Sequence, residues 1–345
     1  MIVRMKNVMM KTVCTRRKMK KITIKDVAKA AGVSISAVSR VFNGYEDISE
    51  ETQKKVFAAA EKLEYTPNSA ARHLSTKKKK IIALVLNEIN VTRGVAMPLE
   101  ILGGVIDSVD QTDYEFMFIP TDRKKQEKKS LLQLAREYDL SGIIIQGLRT
   151  SDPYYEELSG LSLPIVGIDL ALDDLNIGSV AVDNYGASIE VTERLIHAGY
   201  KKILFVNGSK EAVVSQTREA GYRKGLGQCE PHVLYADYQE QKAFDLIREY
   251  PDVAQFDAIY AASDLMAIGI IKALIQRQMI NEIAVVGFDD ITLASYITPT
   301  LSTVRQNISK ITKNAVSDVI EQIEEGRVRK RLIPYEIIVR ESARF

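Results

Sequence analysis

The sequence predicts a small all-α head joined to an α/β body of two lobes, each lobe a doubly wound parallel sheet. Three observations carry this reading. Apolar stripes at helical spacing surround a glycine turn within residues 22–63. From residue 81 on, short Val/Ile/Leu runs alternate with helical stretches, the pattern of parallel sheets covered on both faces. Charge divides at the same point. Residues 1–80 hold 19 Lys/Arg and 7 Asp/Glu, a net of +12, and residues 81–345 hold 28 and 38, a net of −10. A basic head on an acidic body points to a polyanionic partner for the head alone.

Composition removes several classes. A chain of 345 residues suits two or three domains, and 46% apolar residues can fill their cores. No apolar run approaches the ~18 residues of a membrane span. Cys14 and Cys229 cannot form a disulfide scaffold, nor, with three histidines, a four-ligand zinc site. A reducing, cytoplasmic setting is therefore expected.

Residues 1–20 read as a disordered basic extension. Arg4, Lys6, Lys11 and Arg16 interrupt any secretory apolar region, and Met19 is a candidate start. The competing reading is a basic arm on DNA phosphate. Residues 21–66 form the head. Thr23 and Asp26 make a capping box, and Val27, Ala28 and Ala31 are the inner stripe of a helix that stops at Gly32. Ser34 caps a second helix reaching about Phe42, with Val38 and Val41 inward. Ser49 starts a third, lined by Val56, Ala59, Ala60 and Leu63. Ala28 is small where two helices cross and Gly32 suits the tight turn, so the unit is a helix-turn-helix. Ser34, Ser36, Ser39, Arg40 and Asn43 face outward on the second helix, amid the positive charge, which points to DNA. Residues 67–80 are a short helix over 69–74, capped by Asn68, and a lysine linker.

In the body, strands are predicted over 81–86, 114–119, 142–146, 164–169, 180–182, 202–206, 257–261, 284–288 and 335–340. Helices are predicted over 99–109, 125–138, 186–197, 215–227, 239–250, 264–277 and 308–325. This exceeds one doubly wound sheet. One lobe takes about 81–180 with 307–331, the other about 181–306 with 332–345. Ligands of such sheets sit outside the carboxyl ends of the strands, which puts a site in the cleft between lobes.

The run Thr23-Ile-Lys-Asp-Val-Ala-Lys-Ala-Ala-Gly-Val-Ser-Ile-Ser-Ala-Val-Ser-Arg-Val-Phe-Asn-Gly44 resembles the head of the lactose/galactose-repressor (LacI/GalR) family of transcription regulators. Tyr65-Thr-Pro-Asn-Ser-Ala-Ala-Arg-His-Leu74 resembles its hinge helix. Val182-Asp-Asn-Tyr-Gly-Ala187, Arg218-Glu-Ala-Gly-Tyr222, Ser263-Asp-Leu-Met-Ala-Ile-Gly269 and Val286-Gly-Phe-Asp-Asp290 continue the likeness through the body. The resemblance implies that Ile35, Ser36 and Arg40 face base edges in the major groove. An arginine on guanine gives about 1–3 kcal/mol of discrimination, whereas Ile35 and Ala37 offer only apolar contact. It implies phosphate contacts from Thr23, Ser34, Ser39, Asn43, Thr52 and Asn68, and a minor-groove wedge from Leu74.

By the same resemblance the body is like sugar-binding proteins of the periplasmic type. Asp169, Arg218, Tyr238, Ser263, Asp264 and Asp289 become effector contacts. The carboxylates accept from hydroxyls, Arg218 opens on the polar cleft from a helix N-terminal region and donates, and Tyr238 stacks. Ser263 replaces an Asn common in the family, and the loop 87–97 does not match the usual aromatic at the cleft mouth. Ala212 stands where purine-binding members carry Arg, which favours a sugar over a purine.

His73, His197 and His232 lie far apart, and there is no phosphate-binding loop, nucleophile elbow or dinucleotide fingerprint. No catalytic residue, metal or cofactor is expected, so the chain is not read as an enzyme. The expectation is a cytoplasmic repressor that binds pseudo-palindromic double-stranded operator DNA and is controlled by a small-molecule effector, a sugar or sugar derivative. Without a terminal leucine heptad it is expected as a homodimer. The alternative is a periplasmic-type sugar-binding protein with no regulatory role, disfavoured by the head and by the lack of an export signal.

Overall fold

The computed structural model describes residues 22–42, 45, 48–63, 65, 80–88, 96–170, 172 and 174–345. The basic extension, Asn43, the hinge segment with Asn68 and Leu74, and most of the 87–97 loop lie outside the described residues. The chain divides into two compact units, one ending at Lys79 and the other starting at Lys80.

In the first unit, α1 (Ile24–Ala31), α2 (Ile35–Phe42) and α3 (Glu50–Lys62) close around Val27, Val38 and Val56, each with no exposed surface. The Asp26 carboxylate accepts both the backbone N–H and the hydroxyl of Thr23, at 2.8 and 2.7 Å. Gly32 ends α1 at φ 68°, the left-handed region a tight turn needs and a side chain resists. Ser34 Oγ then accepts the Ala37 N–H at 3.1 Å and starts α2.

The second unit holds two parallel sheets. The first contains β1 (Ile81–Asn87), β2 (Glu115–Thr121), β3 (Gly142–Gln146), β4 (Ile165–Ile168) and β5 (Ile177–Val182). A late strand, Lys330–Ile333, pairs parallel with β5 at the edge opposite β2. The helices Ala96–Val109 (α4) and Ile308–Glu325 pack on one face of this sheet. Arg123–Lys128 (α5), Leu131–Tyr138 (α6) and Pro153–Glu157 (α7) come from its other crossovers, and Leu131, Leu134 and Tyr154 pack on the other face. The second sheet has the order His232–Tyr235 (β7), Ile203–Asn207 (β6), Ala258–Ala261 (β8) and Ala284–Val286 (β9). Its helices are Asn184–His197 (α8), Val213–Gly225 (α9), Glu240–Glu249 (α10) and Asp264–Gln276 (α11).

The structure differs from expectation in four places. The helix expected over 125–138 is two, α5 and α6. Ser130 Oγ accepts the Gln133 N–H while the Gln133 side chain accepts the Ser130 N–H, so a new capping box restarts the helix there. Strands His232–Tyr235, Thr303–Arg305 (β10) and Lys330–Ile333 (β11) were not expected, being short and only partly buried or charged. β10 pairs antiparallel with Glu336–Ile338 (β12), a shorter strand than the expected 335–340. The first sheet also keeps the chain to Val182 and Ile333, two residues past the expected changeovers at 180 and 331, because both strands finish their pairing before turning.

Candidate functional site

On the head, Ile35 is 45% exposed on α2, and Ser36 and Arg40 are exposed beside it. The Arg40 guanidinium lies 5.3 Å from the Tyr45 ring centre. Ser39 is half-buried. Thr52 is half-buried too, its hydroxyl 3.0 Å from Ser49 Oγ at the start of α3. Thr23 and Ser34 are exposed at the starts of α1 and α2. One helix face therefore presents donors and an apolar side chain together, with its inner stripe committed to the core.

In the body, a cavity of about 220 Å³ opens at the carboxyl ends of strands from both sheets. It brings together Asp169, Arg218, Tyr238, Ser263 and Asp289. Asp169 follows β4 at φ 53° and accepts from Asn184 Nδ2 at 3.2 Å. Asp289 sits at φ 125° and accepts from Gln306 Nε2 at 2.7 Å. Left-handed backbone at such residues is costly, and strain of this kind gathers at ligand sites.

Arg218 lines the cavity and is only 3% exposed. It projects from the second turn of α9 and stacks 3.5 Å from the Phe288 ring centre. Its Nε donates to Asn184 Oδ1 at 2.8 Å and its Nη1 to the Ala262 carbonyl at 2.6 Å. Asp169 and Asp289 both lean on this one cation. Burial pushes the Asp169 carboxyl up and Arg218 opposes it. Burial pushes Asp289 well above the usual range, Arg218 again opposing and Asp264 adding to the rise. The other cavity carboxylates have cations of their own, Glu88 pairing with Arg149 at 2.7 Å and Asp237 with Lys242 at 2.6 Å.

Tyr238, at φ 57°, lays its ring so close to Gly208 that a Cβ there would fall 2.1 Å from it; its hydroxyl meets Ser215 Oγ at 2.8 Å. Ser263 Oγ caps α11 by accepting the Met266 N–H at 3.3 Å. Asp264 does not line the cavity, which corrects its expected role as an effector contact. Its carboxylate turns inward to accept the Ile291 N–H and the Thr303 hydroxyl. Burial pushes it up to about 7.

Sequence reasoning missed Asn87, Gln146, Arg149, Ser209 and Gln306, which also line the cavity. Asn87 and Gln146 end β1 and β3, so the strand-end rule applied to every strand finds them. Gln306 is 6% exposed, and its Oε1 has no hydrogen-bond partner among the described atoms. The lining mixes carboxylate and amide acceptors with arginine, amide and hydroxyl donors, a set that suits hydroxyl groups, which both donate and accept. Among the described residues no group of three or more His, Cys, Asp and Glu is placed to hold a metal. Nor is any described helix long and apolar enough to cross a membrane.

Comparison with known proteins agrees with this division. Residues 23–68 match the bacterial regulatory proteins of the lacI family, and residues 192–343 match the periplasmic binding protein-like domain. The HTH-type transcriptional regulator CelR of Thermobifida fusca is 30% identical over 334 residues, covering 93% of this chain and 98% of its own. A solved complex of the regulator CelR with cellobiose superposes with a TM-score of 0.71 at 27% identity, covering 93% of this chain and 100% of that one. The lac repressor dimer bound to operator and the anti-inducer ONPF superposes with a TM-score of 0.81 at 26% identity, covering 94% and 99%. From head to last strand, this chain belongs to the LacI family of bacterial regulatory proteins.

Proposed function

We propose that the chain is a sequence-specific DNA-binding repressor of a carbohydrate operon, whose operator affinity is set by a sugar or sugar derivative bound in the body cavity. The observation that carries this is the cavity floor. Two half-buried carboxylates, Asp169 and Asp289, lie under the influence of the buried Arg218 guanidinium in a chain whose head exposes Ile35, Ser36 and Arg40. Asp169, Asp289 and Gln306 accept from ligand hydroxyls, Arg218 holds them in place, and Tyr238 walls the ring. Ser263 serves as a cap within the wall. In the head, Arg40 reads a base edge, Thr23, Ser34, Ser39, Asn43, Thr52 and Asn68 hold phosphates, and Leu74 is the wedge.

Residues 21–66 are the DNA-reading domain, 67–80 the hinge and 81–345 the effector domain. The chain acts in the cytoplasm as a homodimer on a pseudo-palindrome, without enzymatic activity or cofactor. The relatives' cellobiose complex and operator-bound dimer support both partners by analogy.

The test is a thermal-shift panel of mono- and disaccharides, cellobiose and ribose among them, with nucleobases as the contrasting arm. A ligand at 100 times its Kd adds about 2.7 kcal/mol of stability. The ligand found is then titrated into a gel shift of the chain on operator DNA, with Arg40→Ala as control. A shift from nucleobases alone overturns the effector class. DNA retention that is equal for every sequence, or unchanged in Arg40→Ala, overturns the assignment of the reading helix.

A further inference from the structure

Two loops from different lobes meet at the rim of the cavity. Residues 149–152 follow β3 of the first sheet, and residues 208–212 follow β6 of the second. The Thr150 N–H donates to the Glu211 carbonyl at 2.9 Å, and the Thr150 hydroxyl donates to the same oxygen at 3.2 Å. The Ser151 hydroxyl donates to the Glu211 carboxylate at 2.7 Å. Arg149 and Ala212 face each other as an antiparallel bridge. Val213 adds an apolar peg: it opens α9 of the second lobe yet packs against the core of the first. None of these contacts belongs to the chain segments that cross between the lobes after Val182, Arg305 and Ile333.

Both loops are braced from behind. Asp152, 2% exposed, accepts from the Arg149 N–H and from Asn87 Nδ2, each at 2.8 Å. Arg123 Nη1 donates to the Ser151 carbonyl at 3.1 Å. Across the cleft, the Ala212 N–H donates to the Ser209 carbonyl at 3.2 Å and Gln216 Nε2 to the Lys210 carbonyl at 2.9 Å. The contact thus joins two stiff turns rather than two swinging side chains, so it forms and breaks as a unit. Arg149, Ala212 and Val213 are also cavity wall, and parting them opens the cavity.

We propose that residues 149–151 and 211–213 form a latch that holds the two lobes closed before any ligand is bound, and that its release admits the ligand. Its members are partly exposed, so each bond shifts the closed-to-open ratio only severalfold. The latch biases closure without locking it, which lets a small molecule enter a pocket that is already shaped when it shuts.

The test needs neither sugar nor DNA, so it stands or falls apart from the functional reading above. Full-length protein with Cys14 and Cys229 changed to Ser carries one spin label on α5 and one on α10, and inter-label distances are measured without ligand. The wild-type distribution should be dominated by a single short population. Glu211→Ala and Ser151→Ala should each lower the closed-to-open ratio by about fivefold. Their combination should add little, since they remove the same bond. Glu211→Ala with Val213→Ser should make the open population directly visible, and Glu211→Gln, which keeps an acceptor for Ser151, should restore closure. A wild-type distribution that is mainly open overturns the latch. So does one that Glu211→Ala with Val213→Ser leaves unchanged.

Discussion

The head and the cavity solve the problem of holding functional side chains in opposite ways. On α2, Ile35, Ser36 and Arg40 face solvent while Val38 and Val41 face the core, so the proposed reading surface and the folding stripe lie on different sides of one helix. In the cavity the same atoms serve both. Arg218 is packed on Phe288, tied to Asn184 and the Ala262 carbonyl, and balances two carboxylates held at left-handed backbone angles. A large flat partner can be met by one face of a finished structure. A small ligand must be enclosed, and enclosing it turns its contacts into core.

The largest expected effect follows from that difference. Arg218→Ala takes a nearby positive charge from Asp169 and Asp289 and strips the donors from Asn184 Oδ1 and the Ala262 carbonyl. Leaving a buried acceptor without its donor costs about 1–3 kcal/mol, and more where the lost donor was charged. Urea denaturation should therefore show a clear loss of stability. If its midpoint matches wild type, the cavity residues are as separable from the fold as those of the head, and the contrast collapses.

The next effect is smaller and depends on pH. Asp264 titrates near 4 when unfolded and at about 7 in the folded chain, so between those values the native state binds the extra proton. The group's contribution is thus most favourable below about pH 4, declines as pH rises toward 7, and is flat above that. Asp289 contributes with the same sign. Asp264→Asn keeps an acceptor for the Ile291 N–H and can donate to the Thr303 hydroxyl. Denaturation at pH 5 and pH 8 should show wild type losing stability relative to the variant as pH rises, on the order of a few kcal/mol. An equal pH dependence in both proteins would remove Asp264 from the titrating core.

What the sequence made legible follows the same line. The head is local: Thr23–Asp26, Gly32 and Ser34 set its helix ends within a few residues of one another, and its inner stripe is plain in the spacing. The parallel sheets were legible because Val/Ile runs such as 81–86 and 142–146 are buried on both faces. In the cavity, Asp169 and Asp289 stood out as acids directly after apolar runs. Gln306 did not, because it follows a three-residue strand with no apolar run to announce it. Asp264 was misplaced for a longer-range reason. Its direction is set by Ile291 and Thr303 and by the close approach of Gly287, where a Cβ would sit 2.1 Å from Asp264 Oδ1. Arg218 was visible as a residue but not as a buried one, since its partners Asn184, Ala262 and Phe288 come from three other segments.

The smallest effect tests whether the head is as separable as its exposed face suggests, because at Ser34 both roles meet. Its hydroxyl oxygen accepts the Ala37 N–H at the start of α2, and the resemblance also gives it a phosphate. Ser34→Ala removes the cap and should cost about 1 kcal/mol of stability. Ser34→Asp keeps a capping oxygen and places a negative charge at the helix start, which suits the helix dipole, so stability should stay near wild type. Toward DNA the order reverses. A carboxylate facing a phosphate is repelled, so Ser34→Asp should lose far more affinity than Ser34→Ala in a fluorescence anisotropy titration at fixed salt. The two variants should cross: one weaker in folding and nearly intact in binding, the other nearly intact in folding and weak in binding. If Ser34→Asp binds DNA like wild type, this end of α2 does not meet phosphate. If both variants lose stability and affinity in parallel, cap and contact are one function here, and the head resembles the cavity more than its exposed surface suggests.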